Sequence, residues 1–124
     1  MTGAHSLVAV VDDDDSVRES LPDLLRELGY VALSFSSAEE FLASDRMGQT
    51  NYLILDVAMP GMSGPDLQAE LRRRRRHIPI IYITARPDES LRRRLLEDGA
   101  AECLFKPFTE KDLLEALDVA SEDK

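Results

Sequence analysis

A chain of 124 residues with 44% apolar and 31% charged residues is long enough to bury a core in one domain and too apolar for a disordered segment. Its formal net charge of −9 argues against binding nucleic acid or an anionic membrane by bulk electrostatics. One cysteine, Cys103, excludes an intramolecular disulfide and a multi-cysteine metal site, and suits a reducing compartment.

The first element is "LVAVV", Leu7–Val11, a valine-rich run without a polar position, as in a parallel strand covered on both faces. From Ser16, the residues Val17, Leu21, Leu24, Leu25 and Leu28 recur at helical spacing until Gly29 stops the helix. Pro22 lies inside that pattern and is expected to kink the helix or to remove one hydrogen bond. Val31–Phe35 reads as a second strand, and "SAEEFLA" opens a short helix with Ser37 and Glu40 at capping-box spacing. Residues 52–55 form a third strand ending at Asp56, and Ser63-Gly64-Pro65 leads into a helix carrying Leu67 and Leu71. A fourth strand is expected over residues 78–83, starting around Pro79, and a helix over 88–97 that Gly99 stops. Glu102–Phe105 gives the fifth strand and residues 109–120 a final amphipathic helix. No apolar run approaches the ~20 residues of a bilayer span, and no leader pattern opens the chain, so a cytoplasmic location is expected.

Five strand–helix units in strict alternation imply an α/β fold: a doubly wound, (βα)5 five-stranded parallel sheet of flavodoxin-like architecture, one domain over residues 1–124. In such sheets the active crevice lies beyond the carboxyl ends of the strands. The residues leaving the first, third, fourth and fifth strands are Asp12-Asp13, Asp56, Thr84 and Lys106, which should meet at one edge.

Each of these residues has an ordinary explanation when taken alone. Acids before a helix favour its N-terminus, threonine is a common strand residue, and lysine is common at surfaces. The run "DDDDSVRESL" is not an EF-hand, lacking that loop's glycine and later glutamate. Convergence is what carries weight. Two unit charges about 4 Å apart repel by roughly 4 kcal/mol at an effective dielectric near 20, so clustered aspartates call for a cation. Three carboxylates from two strand ends make a hard oxygen site of the kind magnesium uses. A carboxylate beside such a cation can attack phosphorus, while a lysine and a hydroxyl take up phosphoryl oxygens.

The motifs "VVDDDDSVRESL", "LILDVAMPGMSG", "IIYITA" and "FKPF", in that order and spacing, resemble the receiver domain of bacterial two-component response regulators over essentially the whole chain. "SAEEFL" and "GMSGPDLQAEL" resemble receivers of the nitrogen-fixation-regulator (FixJ-like) and LuxR-type branch. The resemblance implies that Asp56 accepts a phosphoryl group from a sensor histidine kinase. It implies that Asp12, Asp13, Asp56 and the backbone carbonyl of Ala58 bind magnesium, with manganese as a substitute. Thr84 and Lys106 match the switch hydroxyl and the phosphate-binding lysine, and the bond preceding Pro107 matches one commonly cis in the family. Asp14 and Asp15 are read as charges of the first helical turn. Implied partners are the kinase, a downstream output domain or protein, and a second copy after phosphorylation; nucleic acid and membrane are not among them.

Two departures stand out. Cys103 occupies the position where receivers commonly carry an aromatic switch residue, which bears on the coupling of threonine to that ring. "LRRRRRH" places five arginines at residues 72–76, read as the solvated end of a helix that suits the C-terminal dipole and can contact an acidic partner surface. Arg86, two positions beyond Thr84, is placed to cover a phosphoryl group. A phosphohydrolase of haloacid-dehalogenase type also uses aspartate, threonine, lysine and magnesium, but its second aspartate corresponds to Ala58, and no cap domain is evident. A degenerate receiver acting as a scaffold would not need the full acid, threonine and lysine set. The chain ends directly after the last helix, so the output element is expected on a longer chain or in another protein.

Overall fold

The computed structural model describes residues 6–122. Its five strands are β1 (Leu7–Val11), β2 (Val31–Phe35), β3 (Tyr52–Asp56), β4 (Ile80–Thr84) and β5 (Glu102–Phe105), all parallel in the order β2-β1-β3-β4-β5. Every residue of β1, β3 and β4 is buried, because helices cover both faces of the sheet; their continuous apolar sequences follow from that. The edge strands β2 and β5 mix buried with more exposed positions.

The helices are α1 (Asp15–Glu27), α2 (Ala38–Ala43), α3 (Gly64–Arg73), α4 (Glu89–Glu97) and α5 (Glu110–Glu122). Leu21 and Leu25 of α1 and Leu113 and Leu117 of α5 pack with Val8, Val10, Ile54 and Ile83 on one face of the sheet. Phe41, Leu67 and Leu95 from α2, α3 and α4 pack with Val11, Leu53 and Tyr82 on the other. Each such apolar side chain contributes about 1.5–3 kcal/mol when fully buried.

Caps set the helix starts. Asp14 accepts from the Ser16 N–H at 2.9 Å, so α1 begins at Asp15 and Asp14 is its cap rather than part of its first turn. Ser63 and Asp66 exchange reciprocal bonds at the start of α3, where Pro65 has no N–H to leave unpaired. Ser37 accepts from the Glu40 N–H, but the Glu40 carboxylate accepts from Ser36, one residue before the expected capping-box donor. α1 runs unbroken through the buried Pro22, which supplies no donor to the ladder.

Other boundaries differ from the sequence expectations in small ways. β4 starts at Ile80 rather than 78 and ends at Thr84; Pro79 precedes it, and its carbonyl accepts from the Leu53 N–H. α5 extends to Glu122, and a 3₁₀ turn, Met47–Gln49, leads into β3. Among the described residues no helix is long and apolar enough to cross a membrane.

Candidate functional site

Register fixes the site. Val11 pairs with Leu55, Asp56 with Ile83 and Thr84 with Phe105, so the chain leaves β1, β3, β4 and β5 at nearly one level. The resulting cleft, about 500 Å³, is lined by Asp12, Asp13, Asp56, Thr84, Arg86 and Lys106, with Ala58 beside them. The edge anticipated from topology therefore gathers these residues.

Asp12 is fully buried and Asp56 is 8% exposed, whereas Asp13 faces solvent. Burial of charge demands partners. One Asp12 oxygen accepts from the Lys106 ammonium at 2.9 Å, and the other accepts from the Asp14 N–H at 2.9 Å. Burial, first, and then the neighbouring Asp12 charge push the Asp56 carboxyl up to about 7, against the opposing pull of Lys106. Carboxylate oxygens of Asp12, Asp13 and Asp56 lie within 4.8 Å of one another. Three acids facing one ammonium, all with oxygen donors, fit a hard divalent cation such as magnesium.

Thr84 is 6% exposed, and its hydroxyl oxygen accepts from the Arg86 N–H at 3.1 Å, leaving the hydroxyl proton free to donate. The Lys106–Pro107 peptide is cis, and Pro107 lies beside a neighbouring cavity together with Lys106. Cys103 is not in the cleft. It lies in the core beneath α4, where burial pushes its thiol up to about 11.

Two arginines that tie helices to strands were not singled out from the sequence. Arg18 donates to the Asp12 carbonyl at 2.8 Å and pairs with Asp15, tying the acidic loop to α1. Arg92 donates to the Cys103 carbonyl at 3.2 Å and to Glu102 at 2.7 Å, tying α4 to β5. The Asp15/Arg18 and Glu89/Arg92 spacings of three were visible, but both arginines reach a backbone carbonyl that no local pattern marks.

Residues 8–118 match the family model for the response regulator receiver domain. Nodulation protein W of Bradyrhizobium diazoefficiens is 44% identical over 117 residues, covering 94% of this chain and 52% of that protein. The transcriptional regulatory protein FixJ of Azorhizobium caulinodans is 38% identical over 110 residues, covering 89% of this chain and 52% of that protein. Among solved structures, FixJ-N aligns with a TM-score of 0.86 at 34% identity, over 96% of this chain and 95% of that one. The chain spans about half the length of the curated relatives it matches. An acidic cleft at the carboxyl edge of this sheet, in a chain matched by that family almost from end to end, has one reading: the chain belongs to the receiver domains of two-component response regulators.

Proposed function

We propose that Asp56 is the phosphoacceptor of this receiver and that residues 1–124 act as one phosphorylation-controlled module. The observation that carries the reading is the group of Asp12, Asp13 and Asp56, with ligand atoms within 4.8 Å of one another, beside the Lys106 ammonium. An Asp56 oxygen attacks the phosphorus of a kinase phosphohistidine, and the P–N bond breaks. Its electron pair returns to the imidazole, which picks up a proton, and an acyl phosphate is left on Asp56.

Asp12, Asp13, Asp56 and the Ala58 carbonyl would hold magnesium or manganese, which when bound supplies positive charge against the phosphoryl oxygens. Lys106, now on Asp12, is within the same cleft and turns to a phosphoryl oxygen. Thr84 donates its free hydroxyl proton to another. Movement of Thr84 reaches α4 and β5, where Cys103 stands in place of a ring and Arg92 bridges the two elements. The output face on this reading is α4, β5 and α5, used by a downstream domain, a partner protein or a second copy. The module works in the cytoplasm, without direct contact to nucleic acid or membrane, and performs no small-molecule turnover beyond its own phosphorylation and dephosphorylation.

Acetyl phosphate and intact-mass spectrometry test the assignment. Wild type should gain one phosphoryl group with magnesium or manganese and none with EDTA, and Asp56→Asn should gain none. Labelling of Asp56→Asn at the wild-type rate would contradict it.

A further inference from the structure

At the opposite, amino edge of the sheet, a second cavity of about 300 Å³ opens between the C-terminal ends of α3 and α4. Its floor is apolar, formed by Leu71, Pro79 and Ile80, all buried. Its rim is cationic, formed by the exposed Arg72, Arg75 and Arg76. Arg72 donates to the Asp98 carbonyl at 2.7 Å, and Arg73 and Arg74 share the Glu70 carboxylate. Arg75 and Arg76 make no side-chain hydrogen bond or ion pair among the described residues.

A helix C-terminus carries only about half an elementary negative charge, which the arginines nearest it already answer. The two unpaired arginines are surplus to that need. The backbone gives an independent sign. α1 and α4 are each followed by glycine in the left-handed region, Gly29 at φ 99° and Gly99 at φ 108°. α3 places Arg75 there, at φ 59°, where a side chain is disfavoured and glycine is the default. An arginine is thus held at the rim of the cavity in a conformation that works against it.

We propose that this cavity docks an acidic polypeptide segment of a partner protein, with an apolar side chain seated on the Leu71–Pro79–Ile80 floor and carboxylates on the arginine rim. Charge complementarity favours acid, and the apolar floor distinguishes a polypeptide from a phosphodiester backbone, which has nothing to bury there. The cavity has no Phe, Tyr or Trp lining, and the exposed His77 imidazole is the one ring in it on which a base could stack. A net charge of −9 also sets the remainder of the chain against a long polyanion tracking across it.

Fluorescence anisotropy at low salt, with a labelled amphipathic peptide bearing glutamates along one face and leucines at its border, tests this on the full chain. Wild type should bind, Arg75→Glu/Arg76→Glu should weaken binding at least about tenfold, and Arg93→Glu/Lys111→Glu, an equal charge change at exposed positions of α4 and α5, should leave it within about twofold. Arg75→Gly, which relieves the backbone while removing the cation, should also weaken binding, by about threefold, without loss of thermal stability; a purely structural Arg75 would leave affinity unchanged. Asp56→Asn should bind as wild type, separating this site from the phosphoacceptor reading. Absence of peptide binding, or equal losses from Arg93→Glu/Lys111→Glu and Arg75→Glu/Arg76→Glu, would overturn the proposal. So would tighter binding of a DNA duplex through the same arginines, or self-association of the chain that the rim variants abolish.

Discussion

The burial of Asp56 opposes its ionisation, and the proposed chemistry needs that carboxylate. Its carboxyl is pushed up to about 7 by burial and then by Asp12, so the folded chain holds that proton more tightly than the unfolded chain does. Stability from this group is therefore fully present below the unfolded value near 3.8 and is lost as pH rises through the folded value near 7. Urea unfolding without metal should show wild type weakening between pH 5 and pH 8, with a shallower slope for Asp56→Asn. At pH 8 the asparagine variant should be the more stable by at least about 1 kcal/mol. Equal slopes would mean that Asp56 ionises in the fold without penalty. The Arg86 side chain lines the cleft and makes no ion pair among the described residues, so Arg86→Ala should shorten the half-life of the acyl phosphate severalfold, followed by loss of label from the protein. An unchanged half-life would remove Arg86 from control of water at phosphorus.

Among the elements, α4 is the most weakly held of the helices beside the cleft. It has nine residues, of which only Leu95 is fully buried, against Leu113, Ala116, Leu117 and Ala120 in α5. Its tie to β5 is carried by Arg92, which bridges to Glu102 and to the Cys103 carbonyl. These bonds are half-exposed, so their net worth is about 1 kcal/mol rather than that of a buried pair. Hydrogen exchange should find α4 amides opening before those of α1 and α5, and Arg92→Ala should speed α4 exchange about fivefold while leaving α1 unchanged. Uniform exchange across the helices would contradict a loose α4.

The fold was legible wherever burial is two-sided. β1, β3 and β4 are covered on both faces, so their sequences are unbroken apolar runs, and the alternation of strands with amphipathic stretches dictated the parallel sheet. The site was legible through topology: Asp12, Asp13, Asp56, Thr84 and Lys106 are far apart in sequence but each leaves a strand at the same edge. What escaped is what depends on tertiary backbone. Arg18 and Arg92 bind carbonyls brought near only by folding, and Glu40 reaches Ser36 rather than Ser37, a choice of donor that residue spacing does not set. Arg75 at a glycine-type position could not be read either, since the residue type argues against the conformation it adopts.

On the proposed function, a phosphoryl group on Asp56 is felt at the α4–β5–α5 face through Thr84 and Lys106. Amide chemical shifts with beryllofluoride and magnesium, a stable mimic of the acyl phosphate, test it most directly. Changes are expected at Asp12, Asp13, Thr84 and Lys106 that continue into α4 and β5, disappear in Asp56→Asn, and grow in Cys103→Phe, which puts a ring at the position of the thiol. Shifts confined to the aspartate cleft, with α4 and β5 silent in both wild type and Cys103→Phe, would contradict it.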